Sequence, residues 1–440
     1  MNLLQFGRDL VRDASALGAD EVSVSVSRST EVSLSRRAGK LEQASQATSL
    51  SVSLSLLVDD RYSAHSTSDL RPDALQTFLR RAIAATRVLE PEPERRQPGF
   101  ELCGRGSTEE ALDLFDPGWV DLTADRRRED AEALEAAVDA LPERGRVLSA
   151  TVYLGDSTSD GARVMSNGFE GEHRDTGFGL GVELTLEEPN GRRPEAMAYY
   201  SAAHRGDLPT APAVAAEAWH RAAQRLGSAP APTGRYPMLL ENNLVGRILG
   251  VLGGPLSGSE LHQGRSCLAG KQGERIAASH FTLLDDPTIP RGLGSRPWDG
   301  DALRAKPMPV IEGGVLKNYY LSTYYSRKLG MPVTSGGRSN WVVPAGVRRP
   351  QQILAELPKA IVVTGFLGGN SNGLTGDFSF GVQGLLLENG EVKAHLSEMN
   401  VSGNILDVLG NFAEAGSDVW TYSSLRSPSL LFQDVQFSGT

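Results

Sequence analysis

The stretch Glu21-Val22-Ser23-Val24-Ser25-Val26-Ser27 decides how the chain begins to fold. Valine and serine alternate without a break, and a period of two belongs to a β-strand whose two faces see different surroundings. Val32 and Leu34 continue the alternation with serines, and Val52, Leu54 and Leu56 repeat it. Apolar residues on one face and serines on the other predict an antiparallel sheet with one side in the core and one side wetted. Upstream, Leu3, Phe6, Leu10, Val11, Ala14 and Leu17 recur at helical spacing and stop at Gly18, a natural C-terminal cap. Downstream, Leu75, Phe78, Leu79, Ala82 and Ile83 predict a second amphipathic helix over 73–89. Residues 1–90 therefore read as an N-terminal α+β domain.

The run Glu90-Pro91-Glu92-Pro93-Glu94-Arg95-Arg96-Gln97-Pro98-Gly99 breaks the pattern, because its prolines remove backbone donors and favour extended chain. It predicts a linker or a surface crossing. A central α+β segment, 113–227, packs with the first: helices are expected over 125–141 and 211–226, with strands over 147–154, 176–186 and 195–203. The small, proline-rich stretch Ser228-Ala229-Pro230-Ala231-Pro232-Thr233-Gly234 marks the clearest border. Beyond it, 235–440 is glycine-rich, with helices expected near 242–252, 321–329 and 350–357 and short apolar runs at 360–364, 381–388 and 391–396. The last two runs meet at Asn389-Gly390, a two-residue hairpin turn. The fold class is α+β: N-terminal antiparallel-sheet and helix layers, then a β-rich, barrel-like C-terminal domain.

With 440 residues the chain exceeds what one core ordinarily serves. The net charge of -10, without a basic cluster, excludes a nucleic-acid footprint. Cys103 and Cys267 stand far apart, so neither a disulfide framework nor a cysteine zinc site is indicated, and a reducing cytoplasm is the expected compartment. The opening residues lack the pattern of a signal peptide and no segment is apolar enough to span a bilayer, so no membrane partner is expected.

Several C-terminal segments carry a resemblance: Leu293-Gly294-Ser295-Arg296-Pro297-Trp298-Asp299-Gly300, Ile311-Glu312-Gly313-Gly314, Ser339-Asn340-Trp341, Gly373-Leu374-Thr375-Gly376-Asp377 and Glu398-Met399-Asn400-Val401-Ser402-Gly403-Asn404. In this order they resemble the C-terminal domain of the TldD/PmbA family, and Gly18-Ala19-Asp20-Glu21-Val22 looks like the family's N-terminal region. The resemblance implies two kinds of subunit. The TldD-like kind carries an HExxxH helix whose histidines hold zinc, a glutamate that activates water and a late cysteine that completes the site. The corresponding helix here runs through Val245, Gly246 and Gly250 and holds no histidine or glutamate. The seven histidines, His65, His173, His204, His220, His262, His280 and His395, include no pair four or five residues apart. The late region, Thr421-Tyr422-Ser423-Ser424-Leu425-Arg426-Ser427, lacks the cysteine.

All three ligand positions fail together, which matches the PmbA/TldE kind. No catalytic residue and no metal ligand is therefore expected, and no cofactor in this chain; zinc is expected only in a TldD-like partner. The resemblance implies that such a subunit joins a TldD-like zinc metalloprotease acting on unfolded peptides or small proteins, with a homodimer open to the lone chain. Gly368, Gly369, Asn370 and Asn372 could let an extended peptide lie close to a strand edge, or could simply make turns. Asn340, Thr375 and Asp377 could anchor peptide or cap turns. The rival reading is a self-contained, metal-independent hydrolase or peptide-binding module. Its signals are thin: Gly254-Pro255-Leu256-Ser257-Gly258 is not a nucleophile elbow, and Cys267 is a lone thiol.

Overall fold

The computed structural model describes residues 1–104 and 112–440. The alternating stretch forms strand β1 (Glu21–Arg37), which turns into β2 (Lys40–Val58) and then β3 (Arg61–Thr67). Val22, Val24 and Val26 stand opposite Leu56, Leu54 and Val52, and all six are buried. Helices α1 (Leu3–Ala16) and α2 (Pro72–Thr86) cover them with Leu3, Leu10, Leu75, Leu79 and Ile83. The Asn2 side chain caps α1 by accepting the Gln5 N–H at 2.8 Å, and Gly18 leaves the helix at φ +97°, a conformation that favours glycine.

The other edge of β1 pairs with β4 (Val147–Met165), from Ser23 opposite Met165 to Arg37 opposite Thr151. β5 (Glu170–Leu186) and β6 (Glu195–Ala202) extend the sheet to the order β3-β2-β1-β4-β5-β6, antiparallel throughout. Helices Ala124–Asp139 and Ala211–Ala223 cover the far half over a second core containing Leu134, Val138, Val182, Leu184, Val214 and Ala218. Residues of 1–90 and 113–227 thus share one sheet with helices on one face. Cross-strand partners share a face, so the opposite face carries Ser25, Ser27, Ser159, Gly161, His173 and Asp175.

The proline run contains a 3-10 turn, Pro93–Arg95, where extended chain was expected; proline is tolerated there because the first N–H groups of a helix have no internal partner. The run is also a fastened seam. The Arg95 guanidinium lies 3.5 Å from the Tyr324 ring centroid and 4.9 Å from that of Tyr62, and the Tyr324 hydroxyl donates to Glu92 at 3.0 Å.

In the C-terminal part, β7 (Gly234–Leu240), β12 (Lys359–Ser371), β13 (Asp377–Glu388), β14 (Glu391–Asn404) and β17 (Leu430–Ser438) form a closed barrel. β17 closes it by pairing Phe437 with Val401 of β14. Only β7 and β12 run parallel within the barrel. Asn389 and Gly390 adopt φ of 53° and 79°, the left-handed pair that a tight hairpin turn requires. A smaller sheet lies beside the barrel and is made of β8 (Leu283–Asp285), β9 (Met308–Glu312), β10 (Val315–Leu316), β11 (Trp341–Val342) and β16 (Leu425–Arg426), while β15 (Phe412–Ala415) pairs with β17 outside the closed ring. Among the described residues no helix is long and apolar enough to cross a membrane.

Candidate functional site

The helix expected over 242–252 is broken. Asn242–Leu244 form a 3-10 turn, Val245–Leu249 an α-helix and Gly250–Leu252 a second 3-10 turn. Gly246, Gly250 and Gly253 explain the weakness, since glycine gives up the most backbone freedom on becoming helical. Val245, Ile248, Leu249 and Leu252 are fully buried, which leaves Gly246, Arg247 and Gly250 on the outer face.

A side chain at Gly250 would meet nothing within 4 Å, and one at Gly246 would first meet Leu425 Cδ1 at 4.0 Å. The late segment, in which the resemblance implies a cysteine, therefore runs alongside the helix in space. Where a zinc enzyme would present nitrogen and sulfur, this chain has a buried hydrocarbon at Val245, bare backbone at Gly246 and Gly250, and a second hydrocarbon at Leu425. Zinc takes thiolate, imidazole or carboxylate ligands, so these residues do not fit it. Among the described residues no group of three or more histidine, cysteine, aspartate or glutamate side chains could hold a metal ion.

The glycines of 368–373 lie next to this face. Pairing of β12 with β7 ends at Val363 opposite Leu240, so among the described residues the edge of β12 beyond it has no strand partner on that side. Arg247 reaches across: its Nη2 donates to the Gly369 carbonyl at 3.1 Å and its guanidinium stacks 4.4 Å from the Phe380 ring centroid. Gly368 and Gly369 hold φ of 123° and 111°, beside a register shift against β13. A Cβ at Gly369 would stand 2.1 Å from the Ser379 carbonyl oxygen, so only glycine fits there. Leu367 and Leu374 stand more than half exposed near this edge.

The remaining residues singled out from sequence divide into two groups. Asn370 is exposed opposite Ser379. Asn372 Oδ1 accepts the Leu374 N–H at 2.9 Å, Thr375 Oγ1 accepts the Asp377 N–H at 3.3 Å, and Asp377 accepts from Asn404 Nδ2 at 3.0 Å. Hydrogen bonds from Thr375 and then Asn404 hold the Asp377 carboxyl below its usual range. These four belong to the hairpin tip beside the open edge. Asn340 lies elsewhere and is fully buried: its Nδ2 donates to the Asp286 carbonyl and to Ser295 Oγ, both at 2.8 Å, and its Oδ1 accepts the Gly294 N–H at 2.8 Å. Every polar group of that side chain is used, so Asn340 clamps loops and has nothing to offer a peptide.

The rival signals resolve into structure. Ser257 caps the helix Gly258–His262 by accepting the Glu260 N–H at 3.3 Å, and burial pushes the Cys267 thiol up, away from the thiolate a nucleophile needs. Sequence reading missed Arg247, Phe380 and Leu425 as parts of the site. Arg247 stood in the quoted helix, but its strand partner lies 122 positions away.

Descriptions of the PmbA/TldA metallopeptidase match in three consecutive pieces: domain 1 over residues 22–86, the central domain over 118–226 and the C-terminal domain over 233–439. The chain belongs to the PmbA/TldD metallopeptidase family. Within the family it is 28% identical over 425 residues to the Metalloprotease PmbA of Escherichia coli O157:H7, covering 96% of this chain and 93% of that one. A crystal structure from Bacteroides thetaiotaomicron VPI-5482, of a protein assigned as a candidate modulator of DNA gyrase, superposes with a TM-score of 0.94 at 32% identity, covering 99% and 98% of the two chains. TldE from Thermococcus kodakarensis shares the fold, with a TM-score of 0.85 at 19% identity over 98% of this chain and 99% of that one.

Proposed function

We propose that this chain is the zinc-free subunit of a two-component metalloprotease, paired in the cytoplasm with a TldD-like subunit that supplies the metal and the water-activating glutamate. One observation carries the reading: the helix Val245–Leu249 and the segment around Leu425 meet in space, and none of the residues at that meeting place can ligate zinc. Two features support association and peptide contact. β3 pairs with β2 only from Val52 onward, so among the described residues the outer edge of β2 over 40–51 has no strand partner, and residues 40–49 are exposed on both faces. Such an edge is a template for pairing with another chain, a TldD-like partner or, for the lone chain, a second copy. The open edge of β12 beyond Val363, with Arg247 and the exposed Leu367 and Leu374 beside it, suits an extended, unfolded peptide held by main-chain bonds.

The test is co-expression with a TldD-like subunit, followed by zinc analysis and digestion of an unfolded peptide. The isolated chain is expected to hold no stoichiometric zinc and to cleave nothing; the pair is expected to cleave, and chelators to abolish the activity. Stoichiometric zinc in the isolated chain, or cleavage by it that survives chelation, overturns the proposal. In the active pair, Arg247→Ala is expected to raise KM about three- to tenfold with kcat little changed, the signature of a lost binding contact. An unchanged KM would remove Arg247 from the peptide path.

A further inference from the structure

The segment Leu293 to Gly300, quoted above for its resemblance, takes no part in the zinc-less helix. It crosses the open face of the N-terminal sheet and walls a cavity of about 340 Å³ between that face and the C-terminal domain. His173 and Asp175, two apart on β5 and therefore on one face, line it from the sheet side; Leu293, Arg296 and Trp298 line it from the segment. Trp298 is held edge-on by Phe169, with ring centroids 5.4 Å apart, and by His173 at 6.2 Å.

Asp175 has no hydrogen bond or ion pair to its carboxylate among the described residues, and burial pushes its carboxyl above the usual range. Its neighbour Arg174 does not compensate it, because that guanidinium is bound to Asp160 at 2.9 Å and stacks over Phe115. Arg296 likewise has no carboxylate within ion-pair distance among the described residues. Its Nη2 donates to Gly337 O and, at 3.3 Å, to Ser335 Oγ, while its Nε is buried without a hydrogen-bond partner among the described residues. Asp175 and Arg296, each without an ion-pair partner among the described residues, thus border one cavity together with the apolar side chains of Leu293, Pro297 and Trp298. Both side chains are half-buried, where an opposite charge on a ligand is worth more than in open water, and a cavity of this size is at the small end of ligand sites.

We infer that the cavity binds a small zwitterion, a free α-amino acid or a dipeptide, with its ammonium group on Asp175, its carboxylate on Arg296 and an apolar side chain against Leu293 and Trp298. The inference rests on the cavity alone and not on the pairing proposed above.

Isothermal titration of the full chain, without any partner, tests it with L-leucine and leucyl-leucine as probes. N-acetyl-leucine and leucinamide each lack one of the two charges. Saturable binding is expected for the zwitterions, and a loss of about tenfold or more in affinity is expected for each blocked analogue and for Asp175→Asn and Arg296→Gln, each of which removes one charge-assisted contact. No saturable binding to the wild type, or binding unchanged by Asp175→Asn, overturns the assignment. Should Arg296→Gln fail to fold, leucinamide and Asp175→Asn decide.

The melting temperature gives a second readout. Among the described residues, the charged groups around Asp175 are His173 and Asp160 from the sheet and Arg296, which lines the same cavity, from the segment. Because the folded-state pKa of Asp175 is raised, the folded chain binds the extra proton, and stability falls as pH rises from the unfolded value, about 3.9, through the folded one. Asp175→Asn is therefore expected to melt above the wild type near neutral pH, with the gap closing on acidification. Leucine is expected to raise the wild-type melting temperature and to leave that of Asp175→Asn unmoved. A leucine shift that persists in the variant would place the amino acid elsewhere.

Discussion

Arg127→Ala is expected to cost about 3–5 kcal/mol of unfolding free energy, read from urea denaturation. Arg127 lies in the helix Ala124–Asp139 and grips both oxygens of Asp156 on β4, Nε to Oδ2 at 2.6 Å and Nη2 to Oδ1 at 2.7 Å. Trp119 Nε1 adds a third bond to Oδ1 at 2.7 Å, and Arg127 Nη1 donates to the Leu122 carbonyl at 2.7 Å. The side chain of Asp156 is 1% exposed and that of Arg127 10% exposed. The cost comes less from the lost attraction than from the carboxylate left buried without its cation. Removing both charges together, as in Arg127→Met with Asp156→Leu, is accordingly expected to recover most of the loss. A single variant that unfolds within about 1 kcal/mol of the wild type would show that water reaches Asp156 and that the pair contributes little.

Trp341→Ala is expected to cost a similar amount, about 3–5 kcal/mol, as truncation of a buried aromatic leaves a cavity. Trp341 is 1% exposed. Its indole Nε1 donates to the Tyr320 hydroxyl at 2.6 Å, which in turn donates to Asp285, and burial pushes the Tyr320 hydroxyl up so that it stays protonated as that donor. Truncation therefore removes a hydrogen bond as well as volume. Its effect reaches the site, because the Trp341 N–H donates to the Ser424 carbonyl at 2.9 Å and Trp341 pairs with Leu425, the residue beside Gly246. Hydrogen exchange in the variant is expected to rise most over 423–426. Unchanged exchange there would separate the tryptophan from the positioning of that segment.

Much of the architecture was legible in residue order. Alternation in 21–27 and 52–56 told which side chains turn inward, and the buried register of β1 against β2 agrees. Asn389-Gly390 told where one hairpin turns, because few residues tolerate two left-handed conformations in succession. The absence of ligands at Val245, Gly246 and Gly250 is likewise a property of the sequence, since glycine and valine ligate nothing wherever the fold puts them.

Other features belong to the tertiary structure. Alternation assigns faces but not partners, and the pairing of β1 with β4 that makes one sheet of two segments is set by which edges meet. Closure of the barrel through β14 and β17 is a long-range choice of the same kind. Arg247 found Gly369 and Phe380, Leu425 found Gly246, and Asp175 came to line one cavity with Arg296, each joining residues far apart in sequence. Periodicity is a local code, written in the burial of one residue relative to its neighbours two, three or four positions away. A site is built from contacts between distant segments, and only the packing of the sheet, the barrel and the segments that cross them decides which side chains share one space.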